Sequence, residues 1–287
     1  MTRRRKYRKQ NTFSNFPYFS KPFVKKAGRF LRWALVLALT YLAATTLVSL
    51  LPRKPQEKEV PLPAKPKITF VIDDIGHKIQ DQNLIESLGS DVTYAILPML
   101  RYSRHFSDLG RLRGAEIILH LPLEAADNTV PGPGLITSRM ETEHALDILD
   151  RNLRSVPGHR GANNHMGSQG TSNPQIMRLI LTELKKRDLF FLDSMTTSKT
   201  VSSLLGQQIG VPVLHRDIFL DNEDEEPAIR RQIDKLKLRA LERGYAIGIG
   251  HYRYRTLTVL NEEIPRLKRE GFVTVPLSKM TSFKQSL

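Results

Sequence analysis

Residues 68–77 read ITFVIDDIGH, and this stretch carries more information about the fold than any other part of the chain. A continuous apolar run, rich in β-branched side chains, ends at two adjacent carboxylates, Asp73 and Asp74. Such a run is typical of a buried strand in a parallel sheet, and α/β folds place their functional groups at the C-terminal ends of those strands. Two neighbouring carboxylates repel each other unless a cation or a proton relieves the repulsion. The pair is therefore either a metal site with an adjacent base or an Asx turn with a helix N-cap.

The positive charge of the chain is concentrated at its N-terminus. The net charge is +15 over 287 residues, and residues 1–32 contain eleven basic residues and no acid. The remainder carries 33 basic against 29 acidic residues, a balance of +4. Because the part beyond the tail is nearly neutral, the composition predicts no nucleic-acid partner. We interpret residues 1–32 as a basic cytoplasmic tail.

An uncharged apolar segment follows this tail. Residues 33–51 are nineteen residues without a charge, enough for a helix to span a hydrocarbon core of roughly 30 Å. The preceding basic residues predict a single-pass anchor in the cytoplasmic (inner) membrane, with a cytoplasmic N-terminus and a periplasmic remainder. The alternatives are a cleaved signal peptide, which would release a secreted form, and a buried core helix. The absence of cysteine is compatible with an oxidising compartment.

The rest of the chain divides into a spacer and one domain. Residues 52–67 contain five prolines and seven charges, which predicts a Pro-rich linker. From residue 68 to residue 280, apolar runs alternate with amphipathic helical patterns, which predicts an α/β domain of parallel strands, either a barrel or an open sheet. The predicted strands are 68–73, 92–97, 116–120, 189–193, 211–214, 245–249 and 272–275. The predicted helices are 81–88, 103–111, 141–153, 174–187, 227–243 and 259–270.

Polar side chains recur where the predicted strands end. His120, Asp193 and His251 each come at the end of an apolar run, as Asp73 does. Residues 161–168, GANNHMGS, are interpreted as a dense polar loop that contains His165. In a parallel barrel all strand C-termini open on one face, so these side chains are expected to converge on one mouth.

Convergent carboxylate and imidazole groups favour a divalent metal, with zinc the best match to these ligands. Asp74, His120 and His165 form the candidate three-ligand site. Such an ion lowers the pKa of bound water toward about 7 and polarises a carbonyl. Asp73 is then the candidate base, and His251 the candidate acid that protonates a leaving amine. The constellation predicts metal-assisted hydrolysis of an amide.

Neighbouring polar residues have two interpretations each. Asn163 and Asn164 either orient His165 or bind an oxyanion, or they form a plain Asn-rich turn. Residues 216–221 contain Arg216, Asp217 and Asp221, which either line the same mouth or form a structural salt-bridge cluster.

With these residues the sequence resembles the divergent polysaccharide deacetylase family, over roughly residues 67–280. The resemblance rests on six ordered blocks: VIDDIGH (71–77), LHLPLE (119–124), GANNHMGS (161–168), FLDSMTT (191–197), RDIFLDN (216–222) and AIGIGHYRYRTL (246–257). It implies a deformed (β/α) barrel and a metal-dependent hydrolase that deacetylates an N-acetylated polysaccharide such as peptidoglycan. It also implies that Asp73 is the base, Asp74 a metal ligand and His251 the catalytic acid.

The sequence departs from the ordinary deacetylase pattern at two places. That pattern has two histidines four residues apart, whereas here Glu124 follows His120 at this spacing, as either a further ligand or a turn residue. The usual Arg-Pro-Pro-Tyr-Gly block is replaced by residues 163–167, NNHMG, which makes His165 the candidate third ligand. The alternative function is a catalytically reduced glycan-binding or envelope scaffold protein that retains the fold.

Overall fold

The computed structural model describes residues 21–50, 65–127 and 129–284. The chain separates into two compact units, residues 1–62 and residues 63–287. Residues 1–20 of the predicted tail and residues 51–64, which hold most of the predicted linker, lie outside the described part.

The N-terminal unit contains one long helix, α1, Lys21–Leu50. Its segment Gly28–Leu47 has a mean hydropathy of 1.6 and exposed side chains. Thr40 and Thr46 donate hydrogen bonds to carbonyls three and four residues earlier, which satisfies their hydroxyls inside an apolar helix. The segment has the length and composition of either a membrane-spanning helix or a signal sequence. The helix begins inside the predicted tail, so residues 21–32 are helical.

The second unit is built on one parallel sheet, and the α/β fold prediction is confirmed. Its strands are β1 Lys67–Ile75, β2 Val92–Ile96, β3 Glu116–Leu123, β4 Gly161–Met166, β5 Phe190–Asp193, β6 Val213–His215, β7 Ile218–Phe219, β8 Tyr245–His251 and β9 Val273–Thr274. The strand order is β6-β5-β4-β3-β2-β1-β8-β7, with β9 also paired to β1. Within the described residues, β6 and β7 lie at the two ends of this order and do not pair with each other, so the sheet is a curled half-barrel.

Helices follow most strands and cover the outer face of the sheet. They are α2 Gln82–Leu88, α3 Ser103–Arg113, α4 Thr142–Ser155, α5 Pro174–Lys186, α6 Ser202–Ile209, α7 Glu226–Arg243, α8 Tyr254–Arg269 and the short α9 Thr281–Lys284, with 3₁₀ turns at Gly89–Asp91 and Leu277–Met280. Helix α5 begins as its sequence predicts: the side chain of Asn173 accepts hydrogen bonds from the N–H groups of Gln175 and Ile176, and Pro174 occupies the first turn.

The prediction of a loop at residues 161–168 was wrong. Residues 161–166 form β4, which lies between β3 and β5, and not a loop. Their polar pattern resembles a turn because the strand carries asparagines and a histidine where other strands carry apolar side chains. Strand β3 also continues three residues beyond the predicted end, so His120 lies within the strand and not at its terminus. Three further short elements, α6, β7 and α9, also had no prediction.

Alternation along the strands separates an outer core from an inner core. Phe70 and Ile72 of β1 pack in the large cluster that includes the helices, whereas Val71 belongs to a smaller inner cluster. Successive side chains of a strand point to opposite faces, so the residue two positions after an inner-core residue also faces inward. Asp73 follows Val71 in this way, and His120 follows Ile118. The apolar inner face is therefore continued, toward the strand ends, by polar side chains.

Candidate active site

A polar cluster lies on the inner face of the sheet, at the C-terminal ends of neighbouring strands. By the same alternation, Ile249 of the inner core precedes His251 on β8, and Asn163 and His165 lie on the inward side of β4. The strand pairing places Asp73 beside His251 and His120 beside Asn163. Residues that are far apart in sequence thus meet because parallel register aligns their strand ends.

A bulge at the end of β1 brings both aspartates into this cluster. In a regular strand Asp73 and Asp74 would point to opposite faces. The pairing with β2 shifts register between Ile72 and Ile75, and Asp74 has a φ of 61°, in the left-handed region. Bulges of this kind re-aim a side chain, and left-handed backbone is more accessible to aspartate than to most residues.

Three potential ligand atoms converge at one point. The Oδ1 atom of Asp74 lies 3.2 Å from Nε2 of His120 and 3.1 Å from Nδ1 of His165. The two imidazole nitrogens are 3.0 Å apart, and all three atoms lie within 4.8 Å of one another. In the described part of the chain these residues form the only such group of acid and imidazole ligands.

This group fits a divalent cation. The Oδ1 atom of Asp74 is buried and accepts no hydrogen bond of good geometry, although two imidazole nitrogens are close to it. A buried carboxylate oxygen without such a bond is costly, and a bound metal ion would supply the partner. One carboxylate and two imidazoles are ligands that zinc accepts, with positions left for water and substrate.

The charges of the cluster follow from burial and proximity. Burial opposes ionisation of Asp74, but the close imidazoles of His120 and His165 outweigh it and hold the pKa of this carboxyl well below its usual range. Burial lowers the pKa of His165, so this imidazole is held neutral. For His120, burial also acts downward, but the carboxylates of Asp73 and Asp74 outweigh it and raise the pKa. Ligation of a metal requires the neutral form of this imidazole.

Asp73 lies deeper than Asp74 and has a different environment. Its side chain is buried, its Oδ1 atom accepts a hydrogen bond of 2.9 Å from the Asn163 amide, and its Oδ2 atom is 3.7 Å from Nε2 of His120. Burial raises the pKa of this carboxyl, and the charges of His120 and His251 offset only part of that effect. A carboxylate with a raised pKa accepts a proton more readily than an ordinary one.

His251 is held by a second aspartate. Its Nδ1 atom is 2.8 Å from Oδ1 of Asp221, whose Oδ2 atom accepts hydrogen bonds from the backbone N–H of His251 and from the hydroxyl of Thr256. Burial acts to lower the pKa of His251, but the hydrogen bond and charge of Asp221 outweigh it, so the pKa is raised. The ring also stacks on Phe219 at a centroid distance of 5.8 Å. The imidazole of His251 is thus fixed in orientation, and its pKa lies above the usual value for histidine.

Comparison with known proteins identifies the family. A model of the divergent polysaccharide deacetylase family matches residues 70–281. This chain belongs to the divergent polysaccharide deacetylase family.

Two curated relatives and one solved structure resemble this family member. An uncharacterized protein of Haemophilus influenzae is 32% identical over 207 residues, 72% of this chain and 74% of that protein. The uncharacterized protein YibQ of Escherichia coli is 31% identical over 201 residues, 70% of this chain and 63% of YibQ. The crystal structure of an uncharacterized protein from Agrobacterium tumefaciens C58 has a TM-score of 0.73 at 23% identity, covering 75% of this chain and 89% of that one. The last likeness supports the fold alone.

Two other predicted site residues of this deacetylase family member take part in local structure. Glu124 accepts a hydrogen bond of 2.7 Å from the backbone N–H of Ser138 and is not in the ligand group. Asp193 accepts hydrogen bonds from Thr200, Ser202 and the backbone N–H of Met195. Both carboxylates are thus engaged by nearby chain segments.

Asn164 and Arg216 support the loop after β5. The side chain of Asn164 accepts a hydrogen bond from the backbone N–H of Ser194 and donates one to the carbonyl of Met166. Arg216 donates to the carbonyls of Ser194 and Met195, while its guanidinium lies 3.7 Å from the centroid of Phe219. Arg216 therefore reaches His251 indirectly, through the phenyl ring on which both stack.

The roles of three residues in or near the site were not determined from the sequence. Of the 216–221 cluster, Asp217 pairs with Arg243 in a structural salt bridge, whereas Asp221 binds His251. Asn163 contacts Asp73 and His120 and not, as one alternative had it, His165. Its inward position would have followed from treating residues 161–166 as a strand.

Proposed function

We propose that this family member is a metal-dependent hydrolase that deacetylates an N-acetylated glycan of the cell envelope by cleaving its amide C–N bond. One observation carries the proposal: the ligand group of Asp74, His120 and His165 lies beside a buried carboxylate, Asp73, and on the same inner face as His251. A ligand site flanked by one candidate base and one candidate acid is what amide hydrolysis requires. The family supports a deacetylase-like role.

The residues divide the reaction between them. Asp74, His120 and His165 would hold a divalent ion, for which zinc is our proposal, and such an ion polarises a carbonyl and acidifies water when bound. Attack of water on the acetyl carbonyl forms a C–O bond and releases one proton, which the carboxylate of Asp73 accepts. Breaking the C–N bond requires one proton on the leaving amine. His251 supplies this proton from Nε2, because its Nδ1 atom is held by Asp221.

The cellular setting is part of the proposal. Helix α1 acts as an uncleaved single-pass anchor, because its apolar segment follows a strongly basic N-terminus. The catalytic domain then lies on the periplasmic side of the cytoplasmic membrane, where peptidoglycan supplies N-acetylated sugars. Residues 52–67 act as the spacer between the anchor and the domain.

The test is metal-dependent release of acetate. The full-length chain is purified in detergent, chelated, reloaded with zinc or another divalent ion, and assayed on chitooligosaccharides and peptidoglycan fragments. We expect acetate release that depends on the added ion. No release with any divalent ion on any of these substrates would contradict an enzymatic function and favour the scaffold alternative.

Two matched pairs of variants assign the roles. We expect Asp73→Asn and His251→Ala each to lower acetate release by about 10²–10⁴-fold, the usual contribution of a general acid or base. Asp147→Asn and His144→Ala make the same chemical changes at exposed positions of α4 and should leave the rate unchanged. A scaffold protein would retain its cellular role after both active-site changes, whereas an enzyme would lose it.

A further inference from the structure

Asn163 connects the proposed base to a proposed metal ligand. This side chain is fully buried on β4, between β3 and β5. Its Oδ1 atom is 2.8 Å from Nδ1 of His120, and its Nδ2 atom donates a hydrogen bond of 2.9 Å to Oδ1 of Asp73. A longer contact of 3.3 Å joins Nδ2 to Oγ of Ser194. One neutral amide thus contacts both a proposed metal ligand, His120, and the proposed base, Asp73.

The surrounding hydrogen bonds determine which way this amide points. An asparagine side chain has one accepting oxygen and one donating nitrogen, and the choice between the two orientations follows from the partners. The hydroxyl of Ser194 donates its proton to the carbonyl of Asn164, at 3.0 Å, so it offers only lone pairs to Asn163. An ionised Asp73 is likewise an acceptor only. Both contacts require the Asn163 nitrogen, which leaves its oxygen facing His120.

This orientation selects the tautomer of His120. Because the amide oxygen can only accept, Nδ1 of His120 must carry a hydrogen. The neutral imidazole then presents the lone pair of Nε2 toward Asp74 and His165, at 3.2 and 3.0 Å. This is the neutral tautomer that binds a metal through Nε2.

We propose that Asn163 is a positioning residue that fixes His120 in its metal-binding tautomer and, with the same amide, holds the Asp73 carboxylate beside it. The inference rests on the proposed function for the role of Asp73, and on the ligand group alone for the role of His120. It predicts two separable effects, one on metal affinity through Oδ1 and one on turnover through Nδ2.

Two substitutions separate these effects. Asn163→Ala removes both hydrogen bonds, and we expect zinc affinity to fall by about 10–100-fold, as for loss of an outer partner of a ligating histidine. Asn163→Asp keeps an oxygen that accepts from His120 but places a second buried carboxyl against Asp73, where the two share one proton and Asp73 becomes a poorer base. We therefore expect zinc affinity close to that of the parent protein, with acetate release reduced in both variants. Asn152→Ala is the control, because Asn152, on α4, is equally buried and donates a hydrogen bond to the Gly134 carbonyl, outside the site.

The measurements are zinc titration calorimetry and imidazole ¹⁵N NMR on the full-length protein in detergent. In the zinc-loaded parent we expect the hydrogen of His120 on Nδ1, protected from exchange by the amide, and we expect that protection to be lost in Asn163→Ala. Unchanged zinc affinity in Asn163→Ala, or the hydrogen on Nε2 in the parent, would overturn the proposal. The parent spectrum decides the question even if Asn163→Ala does not fold. Affinity and tautomer are read without substrate, so absence of acetate release would contradict the proposed function and not this inference.

Discussion

The C-terminal ends of β1 and β5 both carry buried or half-buried aspartates, and the two ends use them differently. At β5, the partners of Asp193 include Thr200 and Ser202, seven and nine residues further along the chain. At β1, the neighbours of Asp74 are His120 and His165, 46 and 91 residues away in sequence, and one carboxylate oxygen lacks a hydrogen bond of good geometry. An aspartate that stabilises its own turn is satisfied locally, whereas one that serves a site is satisfied by distant strands or by a ligand.

The largest expected effect separates these two aspartates directly. Asp74→Ala removes a proposed ligand, so its zinc affinity should fall by more than the roughly 10–100-fold that loss of an outer partner costs. Asp193→Ala removes a carboxylate of equal charge at a corresponding strand end and should leave zinc affinity unchanged. Calorimetric titration of both full-length variants tests the contrast, and equal affinities would show that Asp74 contributes no more to zinc binding than Asp193 does.

A third strand-end aspartate, Asp221, is expected to act through pH. It raises the pKa of His251, which must be protonated to act as an acid, so activity should decline as pH rises through that pKa. Asp221→Asn removes the negative charge, and the alkaline limb of the rate profile should move to lower pH. The hydrogen bond between Asp221 and His251 also stabilises the fold, and this contribution has the same pH dependence. It is present below the unfolded-state pKa of histidine and is lost as pH rises through the folded-state pKa.

The control for this change is Asp217→Asn, because Asp217 lies just before β7, as Asp221 lies just after it, but pairs with Arg243. Its rate profile should keep the alkaline limb of the parent protein. If both variants shift the limb equally, the effect belongs to general surface charge and not to the hydrogen bond between Asp221 and His251.

The fold and much of the candidate site follow from apolar patterning. Strand β1 is recognisable because Phe70, Val71 and Ile72 are buried on both faces, and its aspartates mark the strand end. Strand β4 was missed because Asn163 and Asn164 look like turn residues, and only the bonds they make across the sheet show why they tolerate burial. A bulge at Asp74 is likewise set by tertiary pairing and leaves no local signal in the sequence.

A smaller effect concerns stability at β5. Asp193→Ala leaves the donors of Thr200, Ser202 and Met195 without their partner, and the hydroxyl of Ser202 is on a fully buried residue. Hydrogen bonds to a charged group contribute about 1.5–3 kcal/mol each, not additively, so we expect a loss of roughly 2–4 kcal/mol in unfolding free energy. Thermal or denaturant unfolding of the zinc-free protein measures it. A loss no larger than that of an exposed change such as Asp147→Asn would show that this turn is not held by Asp193.

The smallest effect is expected at Glu124, which stands where the ordinary family pattern has a second histidine. Its carboxylate accepts from the backbone N–H of Ser138, and a glutamine oxygen can accept the same bond. Glu124→Gln should therefore change the unfolding free energy by less than about 1 kcal/mol, as for a partly exposed neutral replacement. Zinc affinity should also be retained, because the ligand group comprises Asp74, His120 and His165. A loss of affinity like that of Asp74→Ala would instead make Glu124 a fourth ligand and require the segment before Ser138 to move when metal binds.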